Sequence, residues 1–107
     1  MKPGHVPEAS FAHVVERLLD LYGWTWTHYE PAVRASGKWA TPLRGHRGAP
    51  DYFAFRDERL IFAEIKSTTG KLSPAQRRWI SGLERTGVEV YVWRPADVET
   101  VKETLGK

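Results

Sequence analysis

The sequence predicts a mixed α/β domain built on one sheet with helices on its flanks. Two patterns carry this reading. Apolar residues recur at helical spacing near both ends and once in the middle, and short runs rich in β-branched and aromatic residues lie between them. Helices and strands therefore interleave in the order α-β-β-β-α-β-α, which suits one sheet covered by helices. Length agrees: 107 residues hold a single core and leave no room for a second.

The elements follow in order. Over residues 7–22, Phe11, Val14, Val15, Leu18, Leu19 and Tyr22 recur at spacings of three and four, and Gly23 supplies a stop. WTWTHYE, 24–30, alternates as a strand does. Residues 31–50 are punctuated by prolines and glycines without periodicity, and a loop that long in a small domain is usually functional or mobile. DYFAF, 51–55, and LIFAEIKS, 60–67, read as two strands joined through Arg56-Asp57-Glu58-Arg59. Ser73-Pro74-Ala75-Gln76 opens a helix with Ser at the N-cap, Pro in the first turn and Gln at the third position. Trp79, Ile80 and Leu83 mark its buried side. It ends near Gly87, and VEVYVW, 88–93, reads as a buried strand. Pro95 starts a last helix with Val98, Val101 and Leu105 on one face. The whole chain, 1–107, is expected to be one domain, with its core over about 8–98 and a long basic loop at 31–50.

Composition narrows the function. The chain is 41% hydrophobic and 27% charged, which suits a globular fold, and it has no Cys, so thiolate metal sites and cysteine nucleophiles are excluded. No stretch approaches the roughly 18 apolar residues of a membrane span, and MKPGHVPEAS lacks a signal-peptide apolar core, so a cytoplasmic protein is expected. The net charge is only +3, but its distribution is uneven. Between Glu30 and Asp51 there is no acid, while Arg34, Lys38, Arg44, His46 and Arg47 fall there; Lys71, Arg77 and Arg78 form a second group. Such clusters suit a polyanion such as nucleic acid, although solvated surface charge is the ordinary alternative.

IFAEIKS, 61–67, places Ile61, Ala63 and Ile65 on one strand face and Phe62, Glu64 and Lys66 on the other. If Asp57-Glu58 is a two-residue hairpin turn, or Arg56–Arg59 a four-residue one, Asp51 falls directly opposite Glu64. Their Cβ atoms would then lie roughly 4.5–5.5 Å apart. A three-residue loop would slip the register by one. Two ionised carboxylates at about 5 Å repel by roughly 3 kcal/mol at an effective dielectric of 20. Neighbours such as Phe53, Phe55, Phe62 and Ile65 give no relief. A shared proton or an intervening cation does, and Mg²⁺ takes carboxylate oxygens while keeping several waters. Lys66, on the same face, can reach that water shell. Taken singly, Asp51 fits an ordinary turn and Glu64/Lys66 a solvent-facing edge strand; in matched register the set favours a site.

Gly48-Ala49-Pro50-Asp51, with Glu64-Ile65-Lys66 thirteen positions on, resembles the PD-(D/E)xK nuclease signature. The continuation GKLSPAQRRWISGLERTGVEVYVW is similar, more narrowly, to the VRR-NUC family, related to Holliday-junction resolvase-like endonucleases. The resemblance covers roughly residues 8–98. It implies a PD-(D/E)xK nuclease-like domain with a central mixed sheet. Asp51 and Glu64 would hold Mg²⁺ or Mn²⁺, with the Ile65 carbonyl as a further ligand, while Lys66 would position or activate the attacking water. Gln76 can serve as a Ser-x-x-Gln capping partner or turn inward to the site, as it does in the family. A first-helix glutamate usually completes the set. Glu16 lies about 130° from the centre of the Phe11–Leu18 stripe and should face solvent; Glu8 lies on the inward stripe and is the choice here, though an acid at a helix N-terminus is also simply stabilising.

Arg44, Arg47, Lys71, Arg77 and Arg78 are the candidate phosphate contacts. Trp24, Trp26, Trp79 and Trp93 suit core or dimer contacts, and Trp39, in the basic loop, a contact with DNA or a second subunit. His28 or His46 as a general base is not required. The resemblance therefore implies a metal-dependent endodeoxyribonuclease acting on branched, junction or flap DNA, as a homodimer, either nucleoid-associated or phage-encoded in a host cytoplasm. The alternatives are a non-catalytic DNA-binding or scaffold module that keeps the fold, or a small restriction-type endonuclease.

Overall fold

A computed structural model describes residues 4–29 and 44–107. Trp39, Arg34 and Lys38 of the basic loop lie outside the described residues. Among the described residues eight elements follow one another: α1 (Glu8–Leu21), β1 (Thr25–His28), β2 (Tyr52–Arg56), β3 (Arg59–Ile65), α2 (Pro74–Arg85), β4 (Glu89–Trp93), a 3₁₀ turn (Pro95–Asp97) and α3 (Val98–Gly106). The order is the expected one. The last helix alone begins differently, its first turn tightening into the 3₁₀ form before α3 proper.

The four strands form one mixed sheet in the order β1-β2-β3-β4. The first two pairings are antiparallel. β4 pairs parallel to β3 because α2 carries the chain back across the sheet between them. In the β2–β3 hairpin Arg56 faces Arg59 and Tyr52 faces Ala63. The turn is therefore Asp57-Glu58, with Asp57 at φ 54°, a left-handed conformation that Asp tolerates.

One face of the sheet makes the core. Tyr52, Ala54, Ile61, Ala63, Ile65 and Trp93 project from it against Phe11, Val15, Leu18 and Leu19 of α1 and Val101 and Leu105 of α3, all buried. Each of the larger aliphatic or aromatic side chains contributes about 1.5–3 kcal/mol by leaving water. At the hairpin end, the Trp24 indole donates to the Leu105 carbonyl at 3.0 Å, with Arg56 and Arg59 stacked over its ring at 4.8 and 4.9 Å. Arg59 forks onto Glu89 at 2.6 and 2.9 Å. That end is locked, which leaves the opposite end of the strands to hold the site.

The other face is covered less than the sequence predicts. Trp79, Ile80 and Leu83 of α2 are half-buried, and no α2 residue is fully buried. In β4 only Trp93 is buried. The reason is position: β4 is an edge strand, and α2 packs mainly on it. Phe53, Phe55 and Leu60 consequently stay 49%, 53% and 43% exposed. No helix among the described residues is long and apolar enough to cross a membrane.

Candidate active site

The β2–β3 ladder ends at Tyr52 and Ala63, and continuing it by one residue sets Asp51 opposite Glu64. Asp51 stands in a bend just before β2, and its carbonyl accepts from the Tyr29 N–H at 2.8 Å. Glu64, one residue from the end of β3, is 1% exposed and is the one buried charged residue among those described. The flanking phenylalanines do not enclose it, contrary to the sequence expectation, since they are half-exposed. What closes over Glu64 is the start of α2.

Gln76 makes both of the contacts that the sequence offers as alternatives. Its Oε1 accepts from the Ser73 N–H at 2.9 Å, and the Ser73 hydroxyl oxygen accepts from the Gln76 N–H at 3.1 Å, a complete capping box. Its Nε2 donates to Glu64 Oε2 at 3.1 Å. Capping thus aims the amide at the carboxylate. Lys66 Nζ lies 3.6 Å from the same Oε2. Glu64 Oε1 is buried with no hydrogen-bond partner among the described residues. A buried carboxylate oxygen left unpartnered is costly, and it marks the place where a cation or a proton fits.

Burial and then the Asp51 charge push the Glu64 carboxyl up to about 7, with Lys66 opposing. Burial raises Asp51 as well; His28 and Lys66 oppose this, and the Glu8 charge adds to it. Two carboxylates that resist ionisation beside one lysine form a pre-set acidic pair.

Glu8, first residue of α1, lines a cleft of about 470 Å³ together with Asp51, Ile65 and His28. Reciprocal bonds bring it there: the Thr68 N–H donates to the Val6 carbonyl at 3.2 Å, and the Val6 N–H to the Thr68 hydroxyl at 2.8 Å. These tie the start of α1 to the chain just beyond Lys66. Glu16 corrects its expectation. It is half-buried and accepts a hydrogen bond from the Tyr52 hydroxyl, because a glutamate on the helix flank is long enough to reach across to the sheet. His28 stacks on Tyr52, with ring centroids 4.2 Å apart. Sequence reasoning passed over Tyr52; its place beside Asp51 on an alternating strand was the signal available. Among the described residues no three His, Asp or Glu side chains converge at metal-ligand spacing, although the Glu8 charge acts on both Asp51 and Glu64. Two carboxylates and a strand carbonyl are the oxygens on offer, a hard-oxygen donor set suited to Mg²⁺ or Mn²⁺.

The segment leading to Asp51 is clamped to α2. A Cβ on Gly48, whose φ is 104°, would meet the Ala75 carbonyl carbon at 2.5 Å and the Gln76 nitrogen at 2.8 Å. Gly48→Ala is therefore expected to cost about 2 kcal/mol, seen as a lower chemical-denaturation midpoint with an unchanged slope. Arg44, Arg47, Lys71, Arg77 and Arg78 are all exposed. Arg47 and Arg78 alone of these line a groove of about 620 Å³ along α2, with His46, Trp79 and Arg85.

In comparisons with known proteins, the VRR-NUC domain family model matches residues 38–97, more than half of the chain. No curated protein matches it.

Proposed function

Since the chain belongs to the VRR-NUC domain family, and so has a function of nuclease type on DNA, we propose that it is a Mg²⁺- or Mn²⁺-dependent endodeoxyribonuclease that hydrolyses phosphodiester bonds in branched, junction or flap DNA. The observation that carries this is the unpartnered, buried Glu64 Oε1 beside Asp51. Asp51, Glu64 and the Ile65 carbonyl would hold the metal, with Glu8 acting across the cleft. The bound ion would lower the pKa of a water and offset charge on the scissile phosphate. Lys66 orients the attacking water and faces the phosphate with its positive charge. Gln76 keeps the Glu64 carboxylate from turning away. The work of these residues is positioning and electrostatics, which suits in-line attack on a phosphodiester.

Arg47 and Arg78, with Arg44, Lys71 and Arg77, would contact phosphates and orient the duplex without reading sequence. A homodimer accords with the half-covered face of α2 and β4, and a monomeric mass in sedimentation at micromolar concentration would count against it. Incubating the protein with junction, flap, nicked and plain duplex DNA in Mn²⁺ tests the proposal. Nicking of at least one branched substrate is expected; no cleavage of any substrate with either metal would refute it. The rival is a DNA-binding module that keeps the fold, supported by the lack of a three-ligand cluster among the described residues. Such a module would bind the same DNA and cut none of it.

A further inference from the structure

We propose that Trp79 is a positioning residue for Asp51, acting through the backbone of the segment that precedes it. This rests on the metal-centre reading above. The Trp79 indole N–H donates to the Arg47 carbonyl at 2.9 Å. An indole N–H only donates, so this bond fixes the ring and the loop to each other. The next residue, Gly48, lies against the backbone of Ala75 and Gln76 with no room for a side chain. From there only Ala49 and the buried Pro50 lead to Asp51. Proline has a fixed φ and restricts the residue before it, so few soft torsions separate the clamp from the carboxylate.

Trp79 stands three residues after Gln76, on the same side of α2. The helix therefore has two arms into the site. Gln76 reaches Glu64 directly at 3.1 Å, and Trp79 reaches Asp51 through the Arg47–Pro50 backbone. One helix thereby sets the spacing between two carboxylates that come from different strands.

The test is calorimetric titration of Mn²⁺ into the wild type, Trp79→Phe, Gln76→Ala and the double variant, with metal-free melting as a control. Trp79→Phe keeps an aromatic ring, smaller than the indole, and removes the N–H. It is expected to weaken Mn²⁺ binding roughly three- to tenfold, the range a single bond of this kind spans, while melting stays within about 4 °C. Because the arms reach different carboxylates, the loss should persist in the Gln76→Ala background, although its size can shift because residues one turn apart are close enough to couple. If Trp79→Phe does not fold, a benzothiophene in place of the Trp79 indole, of the same shape without the N–H, is expected to give the same loss. Unchanged affinity in a folded variant overturns the proposal, as does an effect that vanishes once Gln76 is gone, which would route Trp79 through Glu64. A wild type that binds no Mn²⁺ overturns the metal reading itself.

Discussion

Asp51→Asn, Glu64→Gln and Lys66→Ala are each expected to lower metal-dependent nicking at least a hundredfold, with the fold intact. Removing a single preorganised electrostatic partner costs about 10²–10³ in rate, and losing a positioned acid or base about 10²–10⁴. The three groups act as one unit, because Lys66 and Gln76 both address Glu64 Oε2 and Asp51 stands across the strand from it. Combining Asp51→Asn with Glu64→Gln should therefore cost little more than either alone. Initial rates on a nicked-circle or flap substrate would measure this. Activity within tenfold of wild type in any single variant would remove that residue from the site.

The second large effect has the opposite sign for stability. Without metal, Glu64→Gln is expected to stabilise the protein at pH 8 and to change little at pH 5. The Glu64 carboxyl is raised from 4.5 to about 7, so between those values the folded chain keeps a proton that the unfolded chain has released. Stability is then full below pH 4.5 and falls as pH rises through 7. At about 1.4 kcal/mol per tenfold change, the loss approaches about 3 kcal/mol. Gln carries no charge and escapes it, for a gain of roughly 12–15 °C in Tm at pH 8. Saturating Mn²⁺ should narrow this gap, since binding to the folded wild type alone adds about 2.7 kcal/mol at a hundredfold excess over Kd, slightly less than the penalty it offsets. Melting curves at both pH values, with chelator and with Mn²⁺, provide the check. A Glu64→Gln protein no more stable than wild type at pH 8 would show that Glu64 is not held ionised at a cost.

The hairpin register was legible because Arg56-Asp57-Glu58-Arg59 admits a two-residue turn, and pairing from a turn propagates without further choice. Asp51 opposite Glu64 followed from it. Other features were not legible, for physical reasons. Val88–Trp93 has the pattern of a buried strand, yet a one-dimensional pattern cannot say whether a further strand covers its far edge; β4 is the edge, and α2 is half-buried with it. Glu16 was misplaced because an angle around a helix ignores side-chain reach, and a glutamate on the flank meets the Tyr52 hydroxyl. A Ser-x-x-Gln pattern does not separate capping from a role in the site for Gln76, because a primary amide has two ends and uses both. The bond from Trp79 to the Arg47 carbonyl left no trace in the sequence, because a backbone acceptor has no identity there.

The central claim is that Asp51 and the buried Glu64 together hold one divalent cation. Calorimetric titration of Mn²⁺ at pH 8 into wild type, Asp51→Asn and Glu64→Gln tests it most directly. Saturable binding by the wild type, weakened more than tenfold in each variant, is the predicted result. No binding by the wild type, or equal binding by all three, would contradict it.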